Sequence, residues 1–89
     1  MTIKGKLIVK RQTQEIKADF KKRDFVVETT EQFPQKIPFQ LLQDKVNLID
    51  GIEVGKEIEV HFNFKGTQYD KDGEETKYFL NLTAWKITY

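Results

Sequence analysis

Apolar and polar positions along this chain alternate with a period of two in one stretch after another, the pattern of half-buried strands. In KGKLIVKRQ (residues 4–12), Leu7 and Val9 share one face, while Lys6, Ile8 and Lys10 share the other. Gly5, near its start, permits a bulge or a sharp bend. A second strand is expected over Lys22–Thr30, with Phe25, Val27 and Thr29 on one face, and a third over Gln35–Leu42, with Ile37, Phe39 and Leu41 aligned. Pro38 has no backbone donor, so it belongs at an edge or where its amide would point to solvent. The clearest alternation is in KEIEVHFNFKG (56–66), where Ile58, Val60, Phe62 and Phe64 oppose Glu57, Glu59, His61, Asn63 and Lys65. Burying four such side chains is worth roughly 1.5–3 kcal/mol each, which assigns this face to the core. TQYDKDGEET (67–76) turns the chain through DKDG, with Gly73 available for positive φ. YFLNLTAWKITY (78–89) is the last strand, apolar on both faces, with Trp85 expected in the core.

One segment departs from this period. DKVNLID (44–50) predicts two turns of helix, capped by Asp44 and ended by Gly51 in a left-handed conformation. The expected architecture is therefore all-β: a five-stranded OB-fold Greek-key barrel with one short helix between strands three and four. Such barrels bind oligonucleotides and oligosaccharides across strands two and three and the adjacent loops. A bent first strand carrying Gly is what lets five strands close. A meander or an SH3-like barrel is the alternative, and the helix separates them. At 89 residues, a single domain spanning 1–89 is expected.

Charge changes the picture once it is divided. Residues 1–45 carry ten Lys and Arg against six Asp and Glu, residues 46–89 five against eight, so +4 and −3 sum to the net +1. A polyanionic partner must therefore meet a local patch, because the global field offers little attraction. The competing view is that the two halves interleave in space and cancel. No apolar run approaches the roughly 18 residues that span a bilayer, and the amino terminus lacks the pattern of a secretory signal, so a cytoplasmic location without membrane attachment is expected.

Catalytic chemistry finds little support. The sequence has no Cys and no Ser, and its one His61 is expected outward and solvated beside Glu59 and Asn63. No second His or Cys completes a transition-metal site. Asp70, Asp72, Glu74 and Glu75 suggest a calcium loop only superficially, since Gly73 falls at the fourth position and the bidentate Glu is missing. Neither cofactor nor metal is implied, and the chain reads as a non-enzyme.

FKKRDFVVETTEQFPQKIPFQ, QDK at 43–45, FNFKG and the closing YFLNLTAWKI together resemble domain-of-unknown-function family 3127, small bacterial and phage domains, over essentially the whole chain. The resemblance implies an OB-fold related to single-stranded DNA-binding proteins and to primosomal replication protein B. It carries no assigned chemistry.

Single-stranded nucleic acid is bound by cations that track phosphates and by exposed rings on which bases stack. Lys21, Lys22 and Arg23 at the start of strand two, Lys36 at the start of strand three, and Lys6 and Lys10 on strand one are expected to line one groove, with Lys65 on strand four. Phe33 beside Pro34, Tyr69 in the loop after strand four, and Trp85, if it is not taken into the core, are the candidate stacking rings. Gln32 and Gln35 offer donor and acceptor pairs that read base edges. The bland alternatives are a Phe33 that closes the barrel end and lysines that only keep the sheet soluble. The rival function is a protein-interaction or self-association module, formed through the final strand. Both readings accommodate a homodimer or higher homo-oligomer, which would double the cationic patch.

Overall fold

Side-chain burial follows the period-two pattern through most of the chain in the computed structural model, which describes residues 1–89. The elements are β1 (Thr2–Lys10), β2 (Gln14–Lys17), β3 (Phe20–Thr29), β4 (Lys36–Leu42), a 3₁₀ helix (Gln43–Ile49), β5 (Glu57–Tyr69) and β6 (Lys77–Thr88). β1 pairs antiparallel with β3 on one side and β5 on the other, β3 pairs with β4, and β5 with β6. A parallel bridge between Gln40 and Thr83 joins β4 to β6, so the pairings return on themselves. This is the OB-type arrangement expected, with its helix between β4 and β5.

The core is one cluster of twelve apolar side chains. Phe25 and Val27 of β3, Phe39 and Leu41 of β4, and Ile58, Val60 and Phe62 of β5 enter it on the predicted faces, each under a tenth exposed. Phe25 stacks on Phe39 with ring centroids 5.4 Å apart, and Phe39 meets Phe62 edge-on at 5.2 Å. Offset and edge-on pairs of this kind add to the area they bury. Val46 and Ile49 of the 3₁₀ helix, with Ile52 after it, complete the same cluster.

β1 closes the ring because Gly5 has no side chain. It faces Thr29 of β3 and Ile58 of β5 in register, and a Cβ there would lie 2.4 Å from the Glu28 carbonyl oxygen and 2.6 Å from Val27 Cγ1. A bulge comes at once: Leu7 pairs with Val27 but Val9 with Val26, leaving Ile8 as the extra residue. The bulge reverses the phase of the residues after it. Val9 joins Val26 on the outer face and Lys10 joins Phe25 on the inner one, whereas simple alternation puts Val9 with Leu7 and Lys10 outside.

Other departures have equally local causes. β2 has no counterpart in the apolar pattern, since all four residues of QEIK are exposed and nothing periodic marks it. The helix is 3₁₀ rather than α, its N-cap is Leu42 with no side-chain cap, and its C-cap is Asp50. Positive φ falls at Gln43, Gly55 and Gly73, so Gly51 does not end the helix as expected while Gly73 turns the last hairpin. β5 and β6 run beyond the barrel as a two-stranded arm. Phe64 is therefore 54% exposed instead of buried, and Tyr69 ends a strand rather than sitting in a loop. The arm also explains a radius of gyration of 14.5 Å, against roughly 12 Å for a compact chain of this length.

Gly5→Ala is expected to destabilise the protein by about 1–3 kcal/mol, because backbone must move to admit the methyl group. Gly66→Ala on the arm, where nothing lies within 4 Å, should be neutral or slightly stabilising. Urea denaturation of both variants checks the contrast.

Candidate nucleic-acid interface

Cross-strand partners share a face, so the register of β1, β3 and β4 determines what their outer surface presents. Lys6, Glu28 and Lys36 form one row across the three strands, and Val9, Val26 and Pro38 form the next. Asp24 and Gln40 come after them, with Arg11 alongside because its amide donates to the Asp24 carbonyl at 3.0 Å. Lys22 and Leu42 end the series. An apolar band thus lies between two charged ends.

At the seam, this surface deepens into a groove of about 500 Å³. Val26 and Pro38 supply apolar wall from β3 and β4, Leu80 and Leu82 from the base of the arm. Arg11, Lys22, Asp24, Gln40 and Asn81 make it polar. The groove exists because β4 and β6 touch through a single bridge: Gln40 Nε2 donates to Thr83 Oγ1 at 2.9 Å there, and beyond it the two strands part.

The cations expected together are sorted by phase. Lys22 lies in the groove, 3.8 Å from Asp24, and Lys6 and Lys36 lie on the same outer face. Lys22 and Lys36 do not adjoin, because antiparallel strands start at opposite ends: Lys22 faces Leu42, and Lys36 faces Glu28 six residues along β3, about 20 Å away at strand rise. Arg23 shares the inner phase with Phe25 and is committed elsewhere. Its Nε donates to the Arg11 carbonyl at 2.8 Å, and its Nη1 to the Val46 carbonyl at 3.0 Å and to the Asp50 carboxylate. Lys10 Nζ donates to the Asp50 and Ile52 carbonyls at 3.3 and 3.1 Å. These two cations hold the carbonyl end of the 3₁₀ helix, where positive charge is favoured. Lys21 points away from the groove to a polar hollow shared with Gln43 and Asp44, its amide donating to Gln43 Oε1 at 3.2 Å.

Phe33 is 78% exposed in the β3–β4 loop, with Gln32 and Gln35 exposed beside it, at the Lys36 end of the surface. Tyr69 is 52% exposed at the far end of the arm, and Lys65 lies on the arm opposite Asn81. Trp85 is not core: a bulge at this position in β6 pairs His61 with Lys86 and Phe62 with Ala84, leaving Trp85 unpaired and 44% exposed. Its ring lies 5.4 Å from that of His61. His61 is more enclosed than a solvated imidazole, since its Nε2 is buried and comes within 3.3 Å of Glu59 without hydrogen-bond geometry. The groove residues that the sequence does not single out are Arg11, Asp24, Gln40 and Asn81. Of these Arg11 carries one signal, its position directly after β1.

Residues 2–88 match the family described as a domain of unknown function, DUF3127. The chain belongs to this family. Among curated proteins, none matches the sequence. Solved structures share the fold. The mitochondrial single-stranded DNA-binding protein Rim1 of S. cerevisiae superposes with a TM-score of 0.72 at 12% identity, over 99% of this chain and 90% of that one. The dimeric N-terminal domain of PriB from Thermoanaerobacter tencongensis gives 0.67 at 17%, over 99% and 91%. The single-stranded DNA-binding protein of Thermus aquaticus gives 0.67 at 21%, with 98% of this chain covering 47% of that protein.

Arg23→Met should cost about 2 kcal/mol, since it leaves the Val46 carbonyl without a charged donor, and should speed amide exchange in residues 43–52. Lys21→Met should change stability by less than about 0.5 kcal/mol. At the arm tip, hydrogen bonds from Thr76 and then Gln68 hold the Asp70 carboxyl below its ordinary pKa. Its contribution is therefore complete above the ordinary value and lost as pH falls through the lowered one. The Asp70 carboxyl carbon followed by NMR through an acid titration should show a midpoint below that of an unstructured Asp, and Thr76→Val should raise it.

Proposed function

We propose that this protein binds single-stranded nucleic acid, DNA in the first instance, without catalysing a reaction. The observation that carries this reading is the groove at the β4–β6 seam: apolar walls for base faces lie between Arg11 and Lys22 on one side and the Lys6–Lys36 row on the other. The outer surface of β3 and β4 is where OB-folds take oligonucleotides, and two similarly folded proteins carry single-stranded DNA binding in their names. Lys6, Arg11, Lys22 and Lys36 meet phosphates, and Phe33 extends the stacking surface at the Lys36 end, whereas Tyr69, paired with Lys77, lies on the arm face opposite Leu80 and Leu82 and makes a peripheral contact. Gln32, Gln35, Lys21 and Lys65 are peripheral contacts. The residues lining the groove include no hydroxyl, thiol or imidazole, which favours binding over chemistry.

A second reading rests on the arm. Phe64, Tyr78 and Leu80 share one of its faces and are 54%, 74% and 66% exposed. Self-association through this arm, to a homodimer or larger assembly, would cover them and bring two cationic surfaces together.

Fluorescence anisotropy of labelled oligo-dT at low salt should report binding, with log affinity falling linearly in log salt at a slope of about −2 to −3 for the four cations named. Joint charge reversal, Arg11→Glu with Lys22→Glu, should weaken binding about tenfold or more. Lys86→Glu, at a residue that pairs with His61 and does not line the groove, should leave it within about twofold. A flat signal at low salt would remove the nucleic-acid reading, and sedimentation of a monomer at every concentration would remove self-association.

A further inference from the structure

Asp24 is a misfit in a surface meant for a polyanion. Its side chain is 47% exposed within the groove, and the one cation within ion-pair distance of it is Lys22, at 3.8 Å, with Arg11 also lining the groove. The backbone beneath it is fixed, because its carbonyl accepts from Arg11 and its strand partner is Gln40. Gln40 is also held: it is 8% exposed, and its Nε2 is engaged by Thr83, which leaves its Oε1 without a donor from the protein. Two acceptor groups therefore stand opposite each other on adjacent strands. Val26 and Pro38, next along the same face, supply apolar surface for a ring.

A carboxylate repels phosphate but accepts well from the N–H groups of a base. Guanine alone among the DNA bases presents two adjacent donors on its Watson–Crick edge, N1–H and the N2 amino group, spaced to meet both oxygens of one carboxylate. Thymine offers a single N–H between two carbonyls, and adenine and cytosine each place an amino group beside a ring acceptor. Unstacked bases expose that edge in a single strand. Resting on the nucleic-acid reading above, we infer that Asp24, backed by Gln40, selects guanine in the strand that lies in this groove.

The probe is oligo-dT carrying isolated guanines, compared with all-dT and with the same oligonucleotide in which hypoxanthine, lacking only the N2 amino group, replaces guanine. The wild-type protein should bind the guanine oligonucleotide on the order of tenfold more tightly than all-dT, and hypoxanthine should remove most of that gain. Asp24→Asn should abolish the preference while binding all-dT somewhat more tightly. The hypoxanthine comparison uses the wild-type protein and stands even if the variant fails to fold. Equal wild-type affinity for guanine and all-dT, or for guanine and hypoxanthine, overturns guanine selection and leaves the nucleic-acid reading intact. So does an Asp24→Asn protein that binds both oligonucleotides more tightly by the same factor, since Asp24 is then only a repulsive charge. Absence of binding to every oligonucleotide overturns both.

Discussion

A strand that hydrogen-bonds along both edges to neighbours on different sides of a small ring must bend, and β1 does so at Gly5. The close approach of the Glu28 carbonyl leaves no room for a side chain there. The Ile8 bulge then increases the local twist, as bulges do, and carries the end of β1 across the barrel bottom. Closure, the inward swing of Lys10 and the placing of Arg11 beside Asp24 all result from this bend. Without it, β1 could pair with β5 or with β3 but not with both.

Strand phase divides the cations into two groups with different work. Lys10 and Arg23 lie on the inner phase at the barrel end and satisfy the Val46 carbonyl within, and the Asp50 and Ile52 carbonyls just after, a 3₁₀ helix too short to be stable alone. Lys6, Lys22 and Lys36 lie on the outer phase, with no backbone carbonyl to hold and water around them. A cationic stretch such as KKR is therefore two things at once. Its middle residue faces the groove, and its last residue is part of the structure.

The seam between β4 and β6 supplies the remaining ingredient, concavity. One bridge and one side-chain hydrogen bond are enough to close the ring at Gln40 and Thr83. Past that point β6 turns out into the arm, and its leucines stand over the apolar row of β3 and β4. A more complete pairing of β4 with β6 would have stabilised the barrel and filled the groove. The arm projects beyond the core with aromatic side chains on both faces, an arrangement that suits contact with something outside the chain.

The all-β class, the strand order, the helix after the third long strand and most of the core were legible in the sequence. Period-two burial is a local property, and Phe25, Val27, Phe39, Leu41, Ile58, Val60 and Phe62 each carry it in their immediate neighbours. For Phe33 the sequence left two readings, an exposed ring or one that closes the barrel end, and the structure decided for exposure. Tertiary structure alone decided the phases of Lys10 and Trp85, because each depends on a bulge, and a bulge is a mismatch between two strands distant in sequence. It decided the exposure of Phe64, whose alternation is perfect but whose position lies past the end of the barrel. It also decided which lysines are neighbours. Adjacency along the chain places three cations at the start of β3, but antiparallel pairing sends Lys36 to the far end and register brings in Arg11, and register is set by both strands together.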